Sequence, residues 1–407
     1  MTNFDTIIDR RGTACLKYDF AKERGHAEDA LPLWVADMDF SAPAQVLSEL
    51  SRRVQHGVFG YTDVKEDYAD ACVQWFRNSF DWAPDPSWLT VTPGVVFALA
   101  MSVRAFSDPG DGVMLMSPVY YPFYDVIRDN HRRIVDCPLL ETDGHYEIDF
   151  ALMERLLRFE QPKVFLLCSP HNPVGRVWTE EELSQLGELC RKYHVTVISD
   201  EIHCDFALPG HPHTPFLKAD PASENNSIIC TSASKTFNLA GLQCSNIWIS
   251  SQTLREKFRH EIAACGYSQP NLMGLVATKS AYETGYEWHQ ENWAYMQENL
   301  LLFREYLAFR LPMLRLIEPE GTYFAWVDCS GLQLSDLELT EFISSDANLW
   351  LDGGGIFGGR YGQYQRFTLS SPRQIILQAL DQLYAAVQKR FGGASIQGSE
   401  ELLVPAV

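Results

Sequence analysis

Lys235 stands in the stretch Ser232-Ala233-Ser234-Lys235-Thr236-Phe237-Asn238, directly after the apolar run Ile228-Ile229-Cys230. An ammonium at the end of a buried strand is costly unless its charge is used or removed. One use is a Schiff base to an aldehyde, which needs an amine of lowered pKa, and the hydroxyls alongside suit a phosphate. Upstream, Val195-Thr196-Val197-Ile198-Ser199-Asp200-Glu201 is a β-branched apolar run that ends in acid. An Asp there pairs with a protonated pyridine nitrogen and makes the ring an electron sink. Further upstream, Val164-Phe165-Leu166-Leu167-Cys168 runs into the turn Ser169-Pro170-His171-Asn172-Pro173-Val174-Gly175, whose Asn suits a phenolic oxygen. Amine, acid, amide and hydroxyls together suggest pyridoxal 5′-phosphate as the cofactor.

Asn172 and Asp200 are 28 residues apart, and Asp200 and Lys235 are 35 apart. Each gap fits one strand–helix–strand crossover with its loops, which puts the three residues at the carboxyl ends of parallel strands, where open α/β sheets bind ligands. With these motifs the chain resembles fold-type-I PLP-dependent enzymes of the class I/II aminotransferase superfamily, and within it the cystathionine β-lyase (C–S lyase) branch. The likeness is carried by Leu31-Pro32-Leu33-Trp34-Val35-Ala36-Asp37-Met38-Asp39-Phe40, His56-Gly57-Val58-Phe59-Gly60-Tyr61-Thr62, Thr92-Pro93-Gly94-Val95-Val96, Ser117-Pro118-Val119-Tyr120-Tyr121-Pro122-Phe123, the Asn172 and Asp200 turns, and Ser234-Lys235-Thr236-Phe237-Asn238-Leu239-Ala240-Gly241-Leu242. It runs from about the first ten residues to about residue 390.

The resemblance implies an α/β fold: a large domain with a mostly parallel central sheet plus a smaller C-terminal α+β domain. The chain divides accordingly into an N-terminal segment 1–45 joining small domain and dimer interface, a large PLP-binding domain 46–285, a small domain 286–391 and a mobile tail 392–407. The pattern supports this division. Short β-rich runs at Trp88–Thr92, Gly112–Met116, Val164–Cys168, Thr196–Ser199, Ile228–Thr231 and Asn246–Ile249 alternate with helical patterns. A long helix is expected over about 286–310, then strands at Gly321–Asp328 and Arg366–Ser370 and a helix beginning near Pro372.

The 407 residues are 46% hydrophobic and carry a net charge of −20. Such acidity argues against nucleic acid or an anionic membrane as partner. No apolar run approaches the roughly 20 residues that span a bilayer, and the N-terminus lacks a signal-peptide pattern. Ten cysteines, several inside apolar runs, fit a reducing compartment, so the protein is expected in the cytoplasm. His211, His213 and Cys204 lie in a Pro-rich loop where solvated histidines are the ordinary case, and no metal site is expected.

Roles follow from the resemblance. Lys235 is expected to hold the cofactor and act as base at Cα; Asp200 pairs with the pyridine nitrogen, Asn172 donates to the phenolate oxygen, and Pro173 is cis. His203 occupies a position where many aminotransferases place a tyrosine. Gly94, Val95 and Val96 form the phosphate cup at a helix N-terminus, with Ser232 and Ser234 adding hydroxyls. Eight residues after Lys235, where many relatives carry a basic residue, stands Gln243. Tyr61 reaches the phosphate from the other subunit of a homodimer. Tyr120 stacks on the ring, with Tyr121 the other candidate for that place, and the tyrosine left over, Tyr121 or the more distant Tyr124, is a candidate proton donor to a departing thiolate. Arg373 binds the substrate carboxylate, and Ala36 and Asp37 border the substrate. The implied activity is α,β-elimination from L-cystathionine or a cysteine S-conjugate to a thiol, pyruvate and ammonia. An aminotransferase would use nearly the same residues, and a partner-docking regulator would keep the fold and dispense with turnover.

Overall fold

The computed structural model describes residues 2–392; the tail expected from 392 onward lies, but for Gly392, outside them. Seven strands form the large sheet: β1 Leu89–Thr92, β2 Gly112–Leu115, β3 Arg133–Asp136, β4 Val164–Cys168, β5 Thr196–Asp200, β6 Ser227–Thr231 and β7 Ser245–Trp248, in the order β1-β7-β6-β5-β4-β2-β3. β7 alone runs against the direction of the other six, and is antiparallel to both β1 and β6. The inner strands are apolar and β-branched, and β4 and β6 are buried along their whole length, as a sheet covered on both faces requires. The edge strand β3 escapes sequence reading because Arg133-Ile134-Val135-Asp136 is short and bounded by charge.

Four more strands make the small sheet: β8 Arg315–Ile317, β9 Phe324–Asp328, β10 Asp352–Gly353 and β11 Tyr364–Thr368, in the order β8-β9-β11-β10. Two of them are displaced from their expected bounds. Thr322, at φ +68°, departs from the strand region, so β9 starts only at Phe324. β11 ends at Thr368 because the Ser370 carbonyl turns to accept from Asp39 N–H at 3.0 Å. Four helices matter here: α1 Ala44–His56, α2 Val95–Phe106, α3 Tyr286–Arg310 and α4 Arg373–Phe391. Among the described residues no helix is long and apolar enough to cross a membrane.

Two contacts bind the sheets into one frame. In the first, Glu320 and Gly321 N–H both donate to the Gly175 carbonyl, at 2.8 and 2.9 Å. Gly175 has φ +75°, and a Cβ there would meet Pro319 Cβ at 2.6 Å, so this close approach demands glycine. The second is the extended segment Leu31–Phe40. Its Leu33 N–H donates to Trp350 O and its Leu33 carbonyl accepts from Thr368 N–H, both at 2.9 Å, while Leu31 and Leu33 pack in the small-sheet core. From the other side, the Asn238 amide accepts from Met38 N–H and donates to the Met38 and Phe40 carbonyls. Asp39 anchors the segment. Its buried carboxylate accepts from Lys17 and Arg10, both at 2.8 Å, from Ser371 at 2.7 Å and from Tyr18 at 3.1 Å. Lys17 is fully buried, which is tolerable only because its ammonium is paired.

Candidate active site

Cys168, Asp200 and Cys230 are register partners across β4, β5 and β6. The turns that follow these strands therefore leave the sheet along one edge and carry Asn172, His203 and Lys235 to a single cavity of about 260 Å³. Ala36, Gly94, Val95, Val96, Tyr120, Asn172, Asp200, His203, Ser234, Lys235 and Gln243 are among the residues lining it.

Lys235 lies in the short helix Ala233–Thr236, and its Nζ donates to the Ala36 carbonyl at 3.0 Å. Burial lowers its pKa to about 8, with Arg366 acting in the same direction and Asp37 and Asp200 opposing. Asp200 behaves oppositely: burial raises it to about 7, and Glu201 adds to the rise, against the Ile202 N–H and Lys235. Only its Oδ1 is engaged, by Ile202 N–H at 3.1 Å, which leaves Oδ2 for a ligand. A buried carboxylate of this kind favours a cationic partner such as a pyridinium.

Asn172 is aimed by the small sheet. Its Oδ1 accepts from Arg366 Nη1 at 2.9 Å. A guanidinium only donates, so the amide nitrogen must be the end presented to the cavity. The Asn172–Pro173 peptide is cis. Arg366, in β11, also donates from Nη2 to the Trp34 carbonyl at 2.8 Å and to Asp352, and its guanidinium packs on Phe324 and Phe357. Its Nε is buried with no partner.

At the opposite end, Gly94 caps α2 with the first N–H groups of the helix beside Val95 and Val96. Unpaired N–H groups at a helix start hold an anion. Ser234 and Gln243 share this wall, and among the lining residues Lys235 alone carries a cation. Ser232 does not line the cavity. Its hydroxyl donates to Cys244 O at 2.8 Å and accepts from Ser234 N–H at 3.1 Å, so it shapes the turn that presents Ser234 and is no longer free to bind phosphate.

Tyr120 forms the aromatic wall. Tyr121 is outside the lining; its ring lies 5.3 Å from that of Tyr120 and 6.2 Å from that of Phe357. His203 lines the cavity, edge-on to Tyr323 and Phe324. Burial, with the Lys235 and Arg366 charges, holds its pKa well below the usual range, so it is a neutral ring.

Two further sequence-based assignments are corrected. Arg373 is absent from the cavity: it begins α4, pairs with Glu298 at 2.5 Å and lies on the Tyr295 ring, its side chain 34% exposed. The arginine that reaches a lining residue is Arg366, seven residues earlier, which bonds Asn172 from just outside the lining. Sequence reading passed over it because a strand interior is an unusual place for a charge; its flanks, Phe367-Thr368-Leu369, were the available signal. Asp37 gives its carboxylate to Arg10 at 2.5 Å and does not line the cavity, whereas Ala36 does so with its carbonyl. Tyr61, expected to act across a dimer, is 96% exposed and does not line its own chain's cavity. Tyr323, not expected, donates to the Ala36 carbonyl at 2.8 Å.

The family profile of aminotransferase class I and II matches residues 29–383. Cystathionine beta-lyase PatB of Bacillus subtilis (strain 168) is 40% identical over 385 residues, covering 95% of this chain and 100% of that protein. Protein MalY of Escherichia coli (strain K12) is 30% identical, covering 95% and 99%. Among solved structures, cystalysin from Treponema denticola, which contains pyridoxal 5′-phosphate, superposes with a TM-score of 0.92 at 34% identity, covering 96% of this chain and 99% of that one. The cavity fits that cofactor in kind: an amine of lowered pKa, a buried acid with one free oxygen, an amide nitrogen fixed by Arg366, an aromatic wall and a helix start converge on it. By sequence, fold and site the chain belongs to the aminotransferase class I and II family.

Proposed function

We propose that this chain is a pyridoxal-phosphate-dependent carbon–sulfur β-lyase that cleaves L-cystathionine or cysteine S-conjugates to a thiol, pyruvate and ammonia. The carrying observation is the convergence of Lys235, Asp200 and Asn172 on one cavity, with Arg366 hydrogen-bonded to Asn172 at its border, in a chain 40% identical to a cystathionine beta-lyase over 385 residues. When bound, the cofactor supplies an electron sink for negative charge at the substrate Cα.

The chain's residues do the rest. Asp200 would hold the cofactor through its free Oδ2 and, by favouring a cationic ring nitrogen, would keep the sink electron-poor. Arg366 receives the α-carboxylate through its unpartnered Nε–H and the remaining N–H of Nη1, while Asp352 and the Trp34 carbonyl hold the guanidinium in place. Lys235 takes the proton from Cα, which its lowered pKa allows near neutrality. Thiolate leaves Cβ as the Cα electron pair moves into the new double bond, and proton delivery falls to Lys235, the proton-carrying amine on the cavity wall. A cytoplasmic homodimer accords with this reading. Val58 and Phe59 are exposed beside Tyr61, and in a dimer this loop would carry Tyr61 to the phosphate end of the partner's cavity.

The test is incubation of purified protein with cystathionine or S-methylcysteine. Thiol and pyruvate released without any keto-acid acceptor support the lyase. Activity only with an acceptor such as 2-oxoglutarate overturns it in favour of an aminotransferase.

A further inference from the structure

Two donors share one carbonyl beside the reactive amine. Lys235 Nζ donates to Ala36 O at 3.0 Å, and the Tyr323 hydroxyl donates to the same oxygen at 2.8 Å. Neither contact is incidental. Ala36 lies in the segment stitched to both sheets, and Tyr323 is buried, its ring edge-on to Phe206 with centroids 4.8 Å apart and to His203 at 5.5 Å. The phenol is fixed, and it donates.

We propose, on the basis of the lyase reading above, that Tyr323 is a positioning residue for Lys235: with the Ala36 carbonyl it forms a rest that aims the free amine and shifts it toward its uncharged form. A carbonyl that accepts from a phenol has less electron density to offer an ammonium, so the shared oxygen favours the protonated form less than an unengaged carbonyl would. The chemistry needs the uncharged form twice. The amine must be neutral to add to the cofactor aldehyde, where an N–C bond forms and water leaves, and neutral again to accept the Cα proton. The charged and titratable groups facing the amine are Asp37 from the N-terminal segment, Asp200 and His203 from the end of β5 and its turn, and Arg366 from β11. The two acids stabilise the ammonium and Arg366 opposes it. Tyr323 adds a neutral, directional contribution on the side of Arg366 without placing another charge in the cavity. Tyr323 burial also raises its own pKa far above neutrality, with Asp37 adding to the rise, so it remains a donor throughout the working range.

The experiment measures how fast cofactor-free full-length protein takes up pyridoxal 5′-phosphate as a function of pH, followed by absorbance and by mass gain on the Lys235 peptide. The wild-type rate rises through an inflection near pH 8. Tyr323→Phe keeps the ring and removes only the donor; its inflection moves upward by roughly one unit, which slows uptake about eightfold at pH 7.5. Site-specific 3-fluorotyrosine at 323, a stronger donor of nearly the same size, moves the inflection downward. Opposite shifts in the two proteins support the proposal. An unchanged inflection, including a uniform loss of rate at every pH as a merely structural role would give, overturns it. If the wild-type protein never gains the cofactor mass at Lys235, the lyase reading falls as well, an outcome distinct from attachment with an unmoved profile.

Discussion

Arg366 Nη1 donates to Asn172 Oδ1 at 2.9 Å across 194 residues of chain. One contact couples the small sheet, which carries the guanidinium, to the turn after β4, which carries the amide. In the proposed function these are the substrate's carboxylate site and the cofactor's phenolate donor, so the two ligands are held in register by a direct hydrogen bond between their receptors.

Replacing Arg366 therefore disturbs both ligands. Arg366→Lys loses the fork and the Asn172 contact, and kcat/KM for S-methylcysteine is expected to fall about a hundredfold or more, the scale of a lost charge-assisted hydrogen bond. Arg373→Ala breaks only a partly exposed ion pair with Glu298 and changes kcat/KM by less than about threefold. Steady-state pyruvate release decides between them; the reverse order would restore Arg373 to the site.

Asp200 makes cofactor-free protein pH-sensitive. Its folded pKa of about 7 lies above the unfolded value of about 4, so between these values the folded state binds the extra proton and stability falls as pH rises. A cationic ring nitrogen relieves this cost. The rise in Tm on adding pyridoxal phosphate is expected to be larger at pH 8 than at pH 5, and Asp200→Asn flattens that difference. Equal Tm gains at both pH values would contradict the assigned partner.

Tyr61 and Lys235 are expected to meet only between subunits. Proteins carrying Tyr61→Ala or Lys235→Ala alone release little or no pyruvate. Mixed after unfolding and refolding, random dimers place both native residues at about a quarter of the sites, and activity returns to about that fraction of wild type. No recovery on mixing would show that each chain completes its own site.

The Asp39 anchor is a stability element. Asp39→Ala leaves Lys17 buried with its nearest remaining carboxylate, Asp37, at 3.9 Å, and is expected to cost about 3–5 kcal/mol in urea unfolding. A loss below about 1 kcal/mol would mean that the segment is held by its backbone bonds alone.

Lys235, Asp200 and Asn172 could be read from the chain because each follows an apolar strand by a few residues, and parallel strands deliver their carboxyl ends to one edge. The cup at Gly94 was legible for a similar reason: a strand, a Pro-Gly turn and a helix start are consecutive in sequence. Local order thus fixed the fold class, the cofactor end of the site and the reactive amine. Tertiary structure decided what depends on distant register. It chose Arg366 over Arg373, because the pairing of β11 with β9 and β10 turns the first toward Asn172 and Asp352, while the second falls on the outer start of α4. It set the Ala36 carbonyl between Lys235 and Tyr323 and committed Asp37 to Arg10. It also consumed the Ser232 hydroxyl within its own turn. A side chain's type limits what it can do, but which partner reaches it first depends on strands hundreds of residues away, and no local pattern encodes that distance.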